Sequence, residues 1–145
     1  MNYVGTWVFH SVAARDDDCN LIYLDADAYL NYPMPYVDED DPEAVADEIK
    51  ERKNIIGSRL RIAEDGKIYQ LMAIPEGASQ ADVDAVVAAG EFTLMDGMLC
   101  DGAVRWEQRG DDLWAEFGMS EDGWDKISDE DGLLNVLICR YVKQD

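Results

Sequence analysis

Histidine is almost missing from this chain: His10 is the only one, so a histidine-rich metal site or a histidine relay has a single imidazole to draw on. No triad-like arrangement accompanies it, and its place on an apolar strand reads as structural. Cysteine is sparse, odd in number and scattered at Cys19, Cys100 and Cys139. That excludes a compact disulfide framework, and the want of a C-x-x-C pair excludes a thiolate zinc site. A reducing cytoplasm is the expected compartment, with Cys139 a small buried hydrophobe. Basic residues are few, 12 Lys+Arg against 32 Asp+Glu, for a formal charge of -20. Nucleic acid and anionic membranes are bound mainly through cationic patches, so both drop out as partners. No apolar run approaches the roughly 18 residues that cross a bilayer, and Met1–Trp7 lacks the cationic start of a secretory signal. Phosphate-cradling glycine patterns are missing too; the glycines sit in D-G and G-D turns. The acid runs Asp16-Asp17-Asp18 and Asp38-Glu39-Asp40-Asp41 lack the spacing of an EF-hand loop, which points to adventitious Ca²⁺ on a surface rather than a built site. No cofactor and no metal are expected.

What the chain does have is enough apolar material for one core. Hydrophobic residues make up 48% of 145, with four Trp, seven Tyr and three Phe, and that length suits one domain over residues 1–145. Residues 3–12 alternate as a first strand, with Trp7, Phe9 and Ser11 on one face and Thr6, Val8, His10 and Val12 on the other. Segments 19–24 and 27–32 are read as short strands. Between Asp16 and Glu48 stand twelve acids and no Lys or Arg, so an acidic Tyr/Pro-containing excursion runs over about 16–53. It ends in a helix over 42–53, with Asp41 as N-cap, Pro42 at the first position and Glu48 reaching Arg52 at i,i+4. A second short helix is expected at about 79–89, with Ser79 and Asp82 as a capping box and Gly90 beyond its end.

The remaining sequence is punctuated by tight turns. Asp65-Gly66 as a two-residue type I′ turn pairs Glu64 with Lys67, Ile62 with Tyr69 and Leu60 with Leu71. Gly110-Asp111 pairs Arg105 with Glu116 and Trp106 with Ala115. Asp96-Gly97 and Asp101-Gly102 separate further strands, and Leu133–Lys143 reads as one long closing strand. The expected fold is mainly β: an antiparallel up-and-down barrel of 8–10 strands with two short helices, because so long a meander must close or split to hide its edges. A β-sandwich is the alternative.

Gly5-Thr6-Trp7 resembles the G-x-W signature of the lipocalins and their calycin relatives, which include the fatty-acid-binding proteins. The resemblance implies a barrel whose tryptophan, here Trp7, packs near the closed end under a basic residue of the last strand, here Arg140. Guanidinium over indole contributes roughly 0.5–2 kcal/mol. Met72-Ala73-Ile74-Pro75-Glu76-Gly77 and Leu137-Ile138-Cys139-Arg140-Tyr141-Val142 extend the likeness to acidic lipocalin-like proteins of anaerobic gut bacteria, which implies a fold and no particular chemistry. Fatty-acid-binding proteins hold a carboxylate with Arg-x-Tyr. Here Arg140 and Tyr141 are adjacent and face opposite ways on a regular strand, so the likeness stops short of that clamp.

Candidate site residues follow from the strand faces. Arg59 and Arg61 share a face opposed by Gln70 and Met72. Turned inward, they would hold an anionic head group; turned outward, they are solvated counter-charges. Met72, Trp106 and Phe117 either line an apolar lumen or fill a core. Trp114, Tyr32, Met34 and Tyr36 form either a homodimer patch or a segment folded back across the barrel. The leading expectation is noncatalytic binding of a small hydrophobic or amphipathic molecule in a barrel cavity. Its rivals are an interaction module with a filled barrel and an acidic surface, and an enzyme on the same scaffold, which needs converging polar groups around His10 or an inward carboxylate pair.

Overall fold

Apolar alternation broken by aspartate-glycine turns builds ten strands and three helices along the residues described by the computed structural model, 2–75 and 77–144. In chain order they are β1 (Gly5–Arg15), β2 (Leu21–Leu24), α1 (Ala26–Leu30), α2 (Pro42–Ile56), β3 (Arg59–Ile62), β4 (Lys67–Met72), α3 (Gln80–Ala88), β5 (Thr93–Met95), β6 (Met98–Arg109), β7 (Asp112–Ala115), β8 (Asp125–Glu130), β9 (Leu133–Val136) and β10 (Cys139–Lys143). Glu76, within one of the likeness segments, lies outside the described residues.

Antiparallel neighbours run β10-β9-β8-β7-β6-β4-β3-β1, and pairing of β10 with β1 brings the ends of the row together. The result is the expected up-and-down barrel, nearly closed, rather than two stacked sheets. β2 extends the far half of β1 beyond β3, and β5 hangs on the start of β6. Trp7, Leu60, Ile62, Ile68, Leu113, Leu134 and Tyr141 belong to the buried core.

Local signals place several elements where the sequence puts them. Asp41 caps α2, accepting from the amides of Glu43 and Ala44, with Pro42 in the first turn; the helix runs on to Ile56, a turn beyond 53. The Ser79/Asp82 capping box starts α3, and Gly90 follows it at φ +77. The β6–β7 register pairs Trp106 with Ala115 and brings Arg105 against Glu116. Asp96-Gly97 and Asp131-Gly132 both adopt positive φ, as a two-residue I′ hairpin requires.

Elsewhere the pattern misleads. Asp65-Gly66 is not a I′ turn: only Gly66 has positive φ, and Ala63 faces Lys67 across a three-residue loop. Asp65 reaches forward to the Lys67 amide and the Tyr69 hydroxyl instead. The register slips by one, so Ile62 opposes Ile68 and Arg61 opposes Tyr69. Asp101-Gly102 is no turn either; β6 runs through it, and Asp101 is an extra residue where Gln70 faces Gly102 and Leu71 faces Cys100. A second irregularity at His10 moves Val12 into the core with Trp7, because one extra residue reverses strand alternation. Segment 27–32 forms no strand: Asp25 accepts from the Ala28 amide and caps helix α1. Leu133–Lys143 is two strands, turning at Leu137-Ile138.

Candidate functional site

One end of the barrel is sealed by the chain's own start. Tyr3 is 1% exposed; its one hydroxyl proton is shared between the Asp111 carbonyl at 2.7 Å and Asp129 Oδ2 at 3.0 Å. Its own carbonyl accepts from Trp7 Nε1 at 2.8 Å. Gly5 has φ +144, a backbone conformation that L side chains rarely adopt, and this favours the glycine of the G-x-W triplet; the Lys143 Cε that a Cβ would meet at 2.9 Å is the end of a flexible chain that can move aside. Trp7 pairs with Lys143 across β1–β10. Arg140 is not over Trp7: it faces Ser11, donates to its Oγ at 2.9 Å and lies 3.7 Å from the ring centroid of Tyr23. The register sets Lys143 opposite Trp7 and so leaves Arg140 three residues away along β10 from the place the likeness implies.

Burial, the hydrogen bond to Asp129 and its negative charge push the Tyr3 hydroxyl up to about 12. An unfolded tyrosine titrates near about 10, so this end contributes stability fully below that pH and loses it as pH rises toward about 12. In alkaline unfolding followed by circular dichroism, Tyr3→Phe is expected to flatten the decline over that window. An unchanged decline would show that Tyr3 does not couple there.

The opposite end carries a cavity of about 320 Å³ beneath the C-terminal turn of α2. Its apolar wall includes Ile55, Leu60, Leu71, Val136 and Cys139, with Met72 beside them. Ser58, Gln70 and Tyr141 supply polar atoms, while Glu51, Asn54, Arg59 and Asp101 also line it. Leu60 and Ile62 point into the barrel, which turns Arg59 and Arg61 out. Arg59 nevertheless reaches the cavity because it stands at the lip, at the first residue of β3. Arg61 does not; it donates to Thr6 Oγ1 at 3.1 Å and pairs with Asp96 at 3.5 Å.

Leu137 and Ile138 turn β9 into β10 at this mouth, 70% and 56% exposed. Leu137 holds φ +57, which a bulky side chain adopts only at a cost of roughly 1–2 kcal/mol. The strain falls on an exposed apolar residue beside the cavity, at a turn that sequence reading missed because no Gly or Asn marks it. Leu137→Gly is expected to raise stability by about 0.5–1 kcal/mol, the relief of strain less glycine's greater freedom when unfolded. A thermal melt showing a lower midpoint would contradict this.

The other candidates lie elsewhere. Trp106 donates to the Ala63 carbonyl at 2.9 Å and packs on the core, as does Phe117; neither lines the cavity. Trp114 is half-buried under Arg109, whose guanidinium is 4.4 Å from its centroid and 5.4 Å from that of Trp124. Met34 is buried, and Tyr32 packs on the core and donates to the Arg15 carbonyl at 2.7 Å. Tyr36 stays exposed but donates to Glu48. Tyr32 and Met34 thus pack inward while Tyr36 remains on the surface. His10 is exposed on the outer bulge, its Nδ1 2.9 Å from Ser11 Oγ.

Arg52 organises the excursion. It is 2% exposed and donates from Nε to Glu48 Oε1 at 2.9 Å, from Nη1 to the carbonyls of Tyr29 and Tyr32 at 2.7 Å each, and from Nη2 to Tyr36 Oη at 3.1 Å. Several acids act as local caps: Asp16 accepts from the amides of Asp18 and Asn20, and Asp38 from that of Asp40. Among the described residues no group of three or more His, Cys, Asp or Glu is placed to hold a metal, and no helix is long and apolar enough to cross a membrane. Compared with known proteins, the chain matches no family model, no curated protein and no solved structure.

Proposed function

We propose that this protein is a noncatalytic, lipocalin-like binder that takes a small hydrophobic or amphipathic molecule into the cavity at the open end of its barrel. The observation that carries this reading is an apolar-walled space of about 320 Å³ at one end, opposite an end closed by Tyr3 and Trp7. The volume stands at the small end of the roughly 300–1,000 Å³ typical of ligand pockets, so the occupant is small. Apolar walls with a few polar atoms are the usual composition of such pockets. Leu137 and Ile138 extend the apolar surface outward at the mouth, where an entering hydrophobe first meets the protein. The cavity's own groups favour binding over chemistry: Tyr141 and Cys139 are both held protonated by burial, and His10 lies outside its lining.

Native mass spectrometry of protein purified without detergent, followed by mild denaturation, reports a co-purified ligand and the subunit number together. The direct test is uptake of naphthalene, followed by its fluorescence, in the wild type and in Met72→Trp, which puts an indole into the cavity. Binding to the wild type that falls at least tenfold in the variant supports the reading. No binding, or binding indifferent to the substitution, overturns it.

A further inference from the structure

The cavity's hydroxyl groups have a fixed hydrogen-bond direction. Ser58 Oγ donates to the Ile55 carbonyl at 2.6 Å, which uses its one proton. The 2.9 Å contact between Ser58 Oγ and Tyr141 Oη then has one consistent sense, with Tyr141 donating and Ser58 accepting. Both hydroxyl protons are thereby committed, and what this pair has left to offer is lone pairs. Tyr141 is buried and both residues line the cavity. Neighbouring Cys139 also hydrogen-bonds Tyr141, its sulfur a weak acceptor and its thiol a weak donor.

The geometry points to a ligand that presents a neutral hydrogen-bond donor to Tyr141 Oη: a small hydrophobic alcohol or phenol, its apolar body lying against Leu60, Leu71 and Val136. The assignment rests on the cavity being a binding site at all. A carboxylate is the wrong partner for this pair, because acceptor would meet acceptor. Burial keeps Tyr141 protonated, with its pKa pushed up to about 12, so it offers no anion to a cationic amine at neutral pH either. Glu51 and Asp101 in the lining further disfavour an anionic head group, and Arg59 at the lip is the single guanidinium that argues for one.

Four probes of nearly one shape separate the possibilities by calorimetry: naphthalene, naphthol, methoxynaphthalene and naphthoate. Naphthol is expected to bind about three- to tenfold more tightly than methoxynaphthalene, the worth of one net hydrogen bond, with naphthoate weakest. Tyr141→Phe should erase the preference while naphthalene binds as before. Ser58→Ala is the second variant, informative even where Tyr141→Phe does not fold: it leaves the Tyr141 proton only the weakly accepting Cys139 sulfur inside the protein, so preference should move toward methoxynaphthalene. Equal binding of naphthol and methoxynaphthalene by the wild type overturns the donor assignment and leaves the cavity reading standing. So does tightest binding of naphthoate that is lost in Arg59→Gln. If no probe binds, naphthalene included, the cavity reading fails and this inference falls with it.

Discussion

Replacing Arg52 by Met is expected to cost about 3–5 kcal/mol, the range for breaking a buried ion pair from one side. The side chain is 2% exposed and makes four hydrogen bonds to Glu48, Tyr29, Tyr32 and Tyr36. Methionine fills much of the volume and satisfies none of them. Two carbonyls and a carboxylate that is itself only 13% exposed lose the Arg52 donor, which leaves Glu48 with the Tyr36 hydroxyl and the Tyr29 carbonyl with the Tyr32 amide. Set against a typical total of roughly 5–15 kcal/mol, such a loss is large. Urea unfolding measures it, and limited proteolysis locates it: cleavage should appear first between Asp25 and Asp41, the segment Arg52 ties down. Arg52→Lys retains the charge but not the fork, and is expected to recover only part of the loss.

The same pair sets an acid response. Hydrogen bonding from Tyr36 and from Arg52 holds Glu48 below the usual carboxylate range. A depressed folded pKa contributes stability above the unfolded value, and that contribution disappears as pH falls through the folded one. In Arg52→Met the wild type's decline below about pH 4.5 should therefore be shallower. An equal slope in both proteins would mean that Glu48 is not coupled to folding through this contact.

Trp7→Ala is expected to cost a comparable 3–5 kcal/mol, the usual range for truncating a buried aromatic. Trp7 is 1% exposed in the core, and its indole N–H is committed to the Tyr3 carbonyl. The change opens a cavity and releases the segment that seals this end. Double-mutant cycles in urea distinguish the two possible partners. Trp7 should couple by at least about 0.5 kcal/mol to Leu60, which faces it across β1–β3 in the core, and show no coupling to Arg140, which lies over Tyr23. Coupling to Arg140 instead would restore the arrangement implied by the lipocalin likeness.

Much of this fold is legible in the chain because many of its decisions are local. Asp41-Pro42 and Ser79 with Asp82 start their helices through hydrogen bonds that span two or three residues. The β6–β7 hairpin is readable because turn chemistry and the Arg105–Glu116 pair agree on one register. The same reasoning slips by one residue at Asp65-Gly66, where two loop lengths suit the same dipeptide and the Asp65 side chain engages Lys67 and Tyr69. It misses the Leu137-Ile138 turn altogether, since neither residue favours the left-handed region that Leu137 occupies. Of the residues proposed for the ligand site, Arg59 and Met72 reach the cavity, whereas Arg61, Trp106 and Phe117 do not.

By itself the chain determined an antiparallel meander with its caps, most of its turns and its acidic surface, because each of these depends on groups a few residues apart. Closure decided the rest. Joining β10 to β1, with extra residues at His10 and Asp101, selects which side chains share the interior, and strand alternation carries no record of such an insertion. Arg52 found its carbonyl partners 20 and 23 residues away. Ser58 met Tyr141 across a separation of 83 residues. The Ser58–Tyr141 contact exists only once β10 has closed on β1, and it brings two hydroxyl groups together at the wall of the end cavity.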